Sequence, residues 1–175
     1  LVSNPNMTPN ILRSLKGDVS PIVRKYVGGN ENTDATTLEI LAKDTELSVK
    51  LSVAGNPSTP LHVLDRLAID RDEALRLQVC QNAGASPALL LGMIFDNNVD
   101  VRTAAAAHGS MPSPGLIKLA RDDELSVRQA VVKNANTLPE ALKRLSFDND
   151  DGVRGQARTR LAAILRDQIK EDRER

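Results

Sequence analysis

A basic residue recurs every 26 positions along this chain: Arg24, Lys50, Arg76, Arg102, Arg128 and Arg154. Cations in register along a repetitive chain could follow a phosphate backbone. An aspartate stands ahead of each one, at Asp18, Asp44, Asp70, Asp96, Asp122 and Asp148. Carboxylates beside the cations would repel phosphate. A half-buried Asp–Arg network tying successive turns of the chain accounts for both columns together, and is the reading adopted. Nucleic-acid binding through the Arg/Lys column is the alternative.

The other polar residues also read as framework. Asparagine occupies Asn4, Asn30, Asn56, Asn82 and Asn134, and His108 fills the one gap in that series. Asparagines at sharp turns satisfy backbone groups that the turn leaves unpaired, and His108 is expected to make a similar hydrogen bond. His62 belongs to a different column, and two isolated histidines give no metal-ligand spacing. Cys80 shares a small, inward column with Val2, Gly28, Ala54, Ala106 and Val132, which suits a buried thiol. A single cysteine excludes an intrachain disulfide and a thiolate cluster. Ser58, Ser86, Ser110 and Ser113 lie beside prolines, where serine caps helices. Neither a nucleophile elbow nor a phosphate loop is present. Gly28-Gly29 reads as the opening of a turn. No catalytic, metal or cofactor site is assigned.

Charge is balanced, 23 basic against 23 acidic residues. That removes the simplest argument for nucleic acid or an anionic membrane as partner. The chain has two Phe, one Tyr and no Trp, so stacking surfaces for bases are scarce. No apolar run reaches the ~18 residues of a membrane span, and no signal peptide is visible. A cytoplasmic location and a monomer are expected.

These columns must be positioned by elements that repeat with them. Leucine fills positions 12, 38, 64, 90, 116 and 142, followed by Leu15, Leu41, Leu67, Met93, Leu119 and Leu145. Val23, Val49, Leu75, Val101, Val127 and Val153 precede the cations. About six copies of one supersecondary unit therefore run from 1 to 154. In the copy around Val53 to Arg76, Pro57 turns Asn56 away from helical angles, ending the previous helix. Thr59-Pro60 reads as an N-cap followed by proline at the first helical position. Leu61, Leu64, Leu67 and Ala68 give one apolar stripe of a helix. Asp70 or Asp72 can cap a second, shorter helix over 73–81, with Leu75, Val79 and Cys80 inward. Phe95 and Phe147 share a column with Ile69 and are expected to pack between helices. One such unit buries too little apolar surface to hold itself, so neighbours must cover both its faces. Residues 155–175 depart from the repeat. Ala157, Leu161, Ile164, Leu165 and Ile169 mark one amphipathic helix that caps the last copy and frays after about Lys170. Leu1 already lies inside a repeat, and upstream sequence is expected.

The run Val-Ala-Gly-Asn-Pro-Ser-Thr-Pro at 53–60, with Leu64, Leu67-Ala68, Asp70 and Leu75-Arg76, resembles the leucine-rich repeat variant family. Asn4-Pro5, Thr8-Pro9, Leu12, Leu15 and Asp18 carry the same pattern. The resemblance implies an all-α, right-handed solenoid of alternating α and short α or 3-10 helices, in a mostly bacterial family. The Asp and Val-Arg columns are also similar to HEAT-type repeats. The interval here is longer than the family's usual unit, so the second helix is expected to be α. Some relatives carry a cysteine-ligated iron–sulfur cluster, which one cysteine cannot hold.

With a repeated frame and no catalytic constellation, the expected function is a non-enzymatic scaffold for a protein or peptide partner. Exposed positions of the second helices vary from copy to copy on the fixed frame. They include Tyr26, Gln78, Gln81, Gln129 and Lys133, the candidate partner contacts.

Overall fold

Each copy folds as two α-helices whose limits follow from the recurring columns. The computed structural model describes residues 7–174, with side chains to Lys170. Val2 and Asn4 lie outside the described residues. The first helices span seven residues each: α1 Pro9–Leu15, α3 Ala35–Leu41, α5 Leu61–Leu67, α7 Pro87–Met93, α9 Ser113–Leu119 and α11 Pro139–Leu145. The second helices α2 Pro21–Gly29, α4 Leu47–Gly55, α6 Glu73–Gln81, α8 Val99–Ala107 and α10 Leu125–Lys133 span nine each. The last, α12, runs 24 residues from Asp151 to Glu174. All twelve are α-helices, and no strand occurs among the described residues. The second helix is thus the longer of each pair, contrary to the shorter one expected, because Asp72 starts α6 two residues after Asp70 and nothing stops it before Asn82.

The Leu column forms the core. Leu12, Leu38, Leu64, Leu90, Leu116 and Leu142 are completely buried. Leu75, Val79 and Cys80 of α6 are buried beside them. The chain divides into two compact units, Leu1–Leu89 and Leu90–Arg175. In the first, α4 packs between α2 and α6. In the second, α10 packs between α8 and α12, and α11 lies against α12. Like helices stack on like, the packing of a helical-repeat solenoid. Close approach of α2 and α4 explains Gly28: a Cβ there would come within 3.0 Å of Val53 Cγ2.

Several local expectations fail. Pro60, not Thr59, is the N-cap of α5, since its carbonyl accepts from the amides of Val63 and Leu64. The Thr59 hydroxyl turns inward and donates to Val53 O at 2.6 Å. Val63 is buried in place of Leu61, which is exposed. Gly28 and Gly29 are helical, in the last turn of α2. Of the four serines, Ser86 caps a helix, accepting from the Leu89 amide. The hydroxyls of Ser58 and Ser113 instead donate to carbonyls in neighbouring copies. Phe95 and Phe147 are exposed, because their column lies on the turn between the two helices of a copy and points away from both. In α12, Ala157 is buried and Leu161 and Ile164 are half-buried, but Leu165 and Ile169 are exposed. The cover over the last copy is therefore limited to the first part of the tail. The helix itself continues past Lys170 to Glu174.

Candidate interaction surface

The second helices end without a left-handed residue. No positive φ occurs among the described residues, and the Asn C-caps are extended. A helix ending this way lacks the backbone bonds of a left-handed cap, so its last carbonyls need other donors. The next copy supplies them. Asn56 Nδ2 donates to Gly28 O and Asn30 O, both at 2.8 Å. Asn82 Nδ2 donates to Ala54 O at 2.6 Å and Asn56 O at 2.9 Å. In the second unit Asn134 Nδ2 reaches Ala106 O at 2.7 Å and His108 O at 3.0 Å. The side-chain oxygen of each asparagine accepts from the amide two residues on, at Ser58, Gly84 and Asn136. His108 Nδ1 accepts from the Ser110 amide at 3.0 Å in the same way. Hydroxyls of Thr33, Thr59 and Thr137 donate to Val27, Val53 and Val131 carbonyls.

Arg160 is the residue that sequence reasoning missed. Its Nη1 donates to Val132 O at 2.6 Å and Asn134 O at 2.8 Å. Those are the carbonyls an asparagine at this place would take. The signal was available, since 160 continues the Asn interval, but Arg does not look like Asn in a list of residue types.

At the opposite end of the second helices lies the charged column. Arg24 Nε donates to Asp44 Oδ2 at 2.6 Å and Nη2 to Oδ1 at 3.0 Å. Arg102 makes the same fork with Asp122, and Arg128 with Asp148. Lys50 makes a single bond with Asp70 at 3.0 Å. The partner aspartate lies in the following copy. Each arginine also holds its own copy, through Nη1 to the carbonyl of Asp18, Asp70, Asp96, Asp122 or Asp148. All six aspartates accept from the amide two residues on, fixing the turn before the second helix.

These bonds favour the ionised carboxylates. The Arg24 guanidinium holds Asp44 below the ordinary carboxylate range. For Asp70 the Asp72 amide contributes first and Lys50 second. Burial pushes Asp122 and Asp148 up, but Arg102 and Arg128, with the turn amides, outweigh it and leave both lowered.

Of the candidate contacts, Tyr26 is 46% exposed, Gln81 and Lys133 are exposed, and Gln78 and Gln129 are half-buried. In the first unit Tyr26 and Gln78 line adjoining depressions. One, of about 380 Å³, is walled by Lys25, Tyr26, Gly29, Asn30, Glu31, Asn32 and Ser52. The other, of about 360 Å³, is walled by Lys25, Gly29, Ser48, Leu51, Ser52, Gly55 and Gln78. Lys25, Gly29 and Ser52 border both, so the two run together over α2, α4 and α6. Gln81 lines neither, and Gln129 and Lys133 belong to the second unit. Lys25 and Leu51 occupy the column of Gln129, and Ser52 that of Tyr26, which is the signal that could have named them.

Other chemistry is sparse. His62 Nε2 lies 3.0 Å from Glu39 Oε1 on the open surface. Cys80 is buried and forms no disulfide. Among the described residues no group of His, Cys, Asp or Glu is arranged to hold a metal ion, and no helix is long and apolar enough to cross a membrane.

No protein-family model matches the sequence, and no curated protein matches it. A solved structure described as "a leucine-rich repeat variant with a novel repetitive protein structural motif" is similar, with a TM-score of 0.50 at 25% identity. The match covers 89% of this chain and 72% of that one.

Proposed function

Because the chain is a helical-repeat protein of the leucine-rich repeat variant type, we propose that it is a non-enzymatic scaffold that binds a protein or peptide segment. The observation that carries this reading is the division of labour within each copy. Leu, Asn, Asp and Arg columns are buried or bonded between copies, while the outward columns of the second helices change from copy to copy. In the first unit those outward residues border one continuous depression of mixed polar and apolar lining, with Tyr26 as its aromatic and Lys25 as its cation. A tyrosine on a rigid frame is an effective anchor for a partner, and a neighbouring cation steers complementary charge to it. Nucleic acid is the less favoured reading: Arg24, Arg102 and Arg128 already hold carboxylates in fork geometry.

The test is affinity capture from host lysate with folded wild-type chain and with a Lys25→Glu/Tyr26→Ala variant as paired baits. A protein retained by the first and lost with the second supports the reading. Retention of nothing, or of the same proteins by both, overturns it.

A further inference from the structure

The turn column leaves two aromatic rings, Phe95 and Phe147, open to solvent. They are 69% and 76% exposed, and each is followed by Asp-Asn in its turn. Both belong to the second unit, two copies apart in one column, and Arg121 stands in that column between them. Two depressions lie along this edge. One contains Phe95, Lys118 and Arg121, the other Arg121, Arg144 and Phe147. Arg121 borders both, so the edge is continuous from one ring to the other.

The charge on this edge follows from which groups are already paired. Asp122 and Asp148, which line the depressions, are held by Arg102 and Arg128. Lys118, Arg121 and Arg144 form no ion pair with any described residue. Lys118 Nζ sits 5.9 Å from the centre of the Phe95 ring, a cation–π contact that leaves its charge outward. Against these three cations stand two further carboxylates, Asp123 on both walls and Asp96 beside Phe95. The uncommitted charge is therefore positive, and it lies between the two aromatic rings.

We propose that this edge of the second unit binds an extended acidic peptide bearing aromatic or aliphatic side chains. Its apolar side chains would cover Phe95 and Phe147, and its carboxylates would meet Lys118, Arg121 and Arg144. Exposed apolar groups flanked by charge mark interaction sites, and complementary charge sets register and partner choice. A single-stranded nucleic acid would also use rings and cations. The peptide is favoured because the three cations share these depressions with Asp122, Asp123 and Asp148: a phosphate chain carries a charge at every nucleotide, whereas a peptide can set its carboxylates against the cations and neutral residues against the aspartates. The surface shares no residue with the second-helix face of the first unit, so either can fail without the other.

Fluorescence anisotropy on the full chain tests this with four labelled probes: a peptide alternating Glu with Phe and Leu, its Lys-for-Glu counterpart, its Ser-for-apolar counterpart, and oligothymidylate. The first probe should bind at least about tenfold more tightly than the others. That preference should vanish in Phe95→Ala/Phe147→Ala and in Arg121→Glu, surface changes whose circular dichroism should match wild type. It should persist in Tyr26→Ala. No binding of the first probe, equal binding of the Ser-for-apolar or Lys-for-Glu peptide, or tighter binding of oligothymidylate would each overturn the proposal.

Discussion

Two ladders join neighbouring copies, and they work by different physics. At the C-terminal ends of the second helices, neutral amides of Asn56, Asn82 and Asn134 are buried and saturated with backbone partners. At the N-terminal ends, Arg–Asp pairs stay partly open to water, with Arg128 16% exposed and Asp148 7%. A buried neutral amide is expensive to leave unpaired and indifferent to pH. A half-buried ion pair is offset by the desolvation of its charges, screened by salt, and titratable. The molecule thus couples its repeats once by obligation and once by adjustable charge.

The largest way to break this contrast is Asn82→Leu. It strands the carbonyls of Ala54 and Asn56 and the Gly84 amide. A loss of about 2–4 kcal/mol is expected, since each buried unsatisfied group costs about 1–3 kcal/mol. Urea unfolding at pH 4 and pH 7 should give the same loss; a strong pH dependence would contradict the neutral role.

Arg128→Met comes next, at about 1–3 kcal/mol near neutral pH, the scale of hydrogen bonds to charged groups. Here the loss should depend on pH. Asp44, Asp70, Asp122 and Asp148 have lowered folded-state values. Their stabilisation is complete above the ordinary value of 3.8 and disappears as pH falls through the lower folded values. Wild-type stability should therefore fall in acid below about pH 4. The difference between wild type and Arg128→Met should shrink over the same range.

Arg160→Ala sharpens the comparison, because a charged residue there does an asparagine's work. About 1–2 kcal/mol should be lost, together with faster amide hydrogen exchange in the last turn of α10. If exchange there is unchanged, Arg160 is not the cap of that helix. The smallest effect is expected for Lys50→Arg. Replacing one bond to Asp70 by a fork should raise the melting temperature slightly, by less than about 0.5 kcal/mol in stability. A destabilisation would show that the joint at α4 has no room for the planar group.

How much of this was legible beforehand varies residue by residue. The limits of α6 followed from Asp72 and Asn82, because Asp72 caps the adjacent amides of Ala74 and Leu75 and Asn82 stands in the column at which the second helices end. Thr59 misled because its hydroxyl had two outlets, the helix ahead and the Val53 carbonyl behind, and only packing chose between them. Phe95 and Phe147 misled because hydrophobicity predicts burial on average, while a turn column has no neighbour to bury against. Among the surface residues, Tyr26 and Gln78 border adjoining depressions, whereas Gln81 lines neither.

The amino-acid order alone determined the repeat interval, the leucine core and the all-helical class, because those depend on periodicity and local propensity. Tertiary structure alone decided who bonds to whom. Shifting the chain by one interval leaves every column unchanged, so an arginine's own aspartate and the next copy's look equivalent in the sequence. Stacking breaks that equivalence: it brings the carboxylate of the next copy and the carbonyl of the same copy to one guanidinium. It also lets a long arginine reach where a short amide is missing.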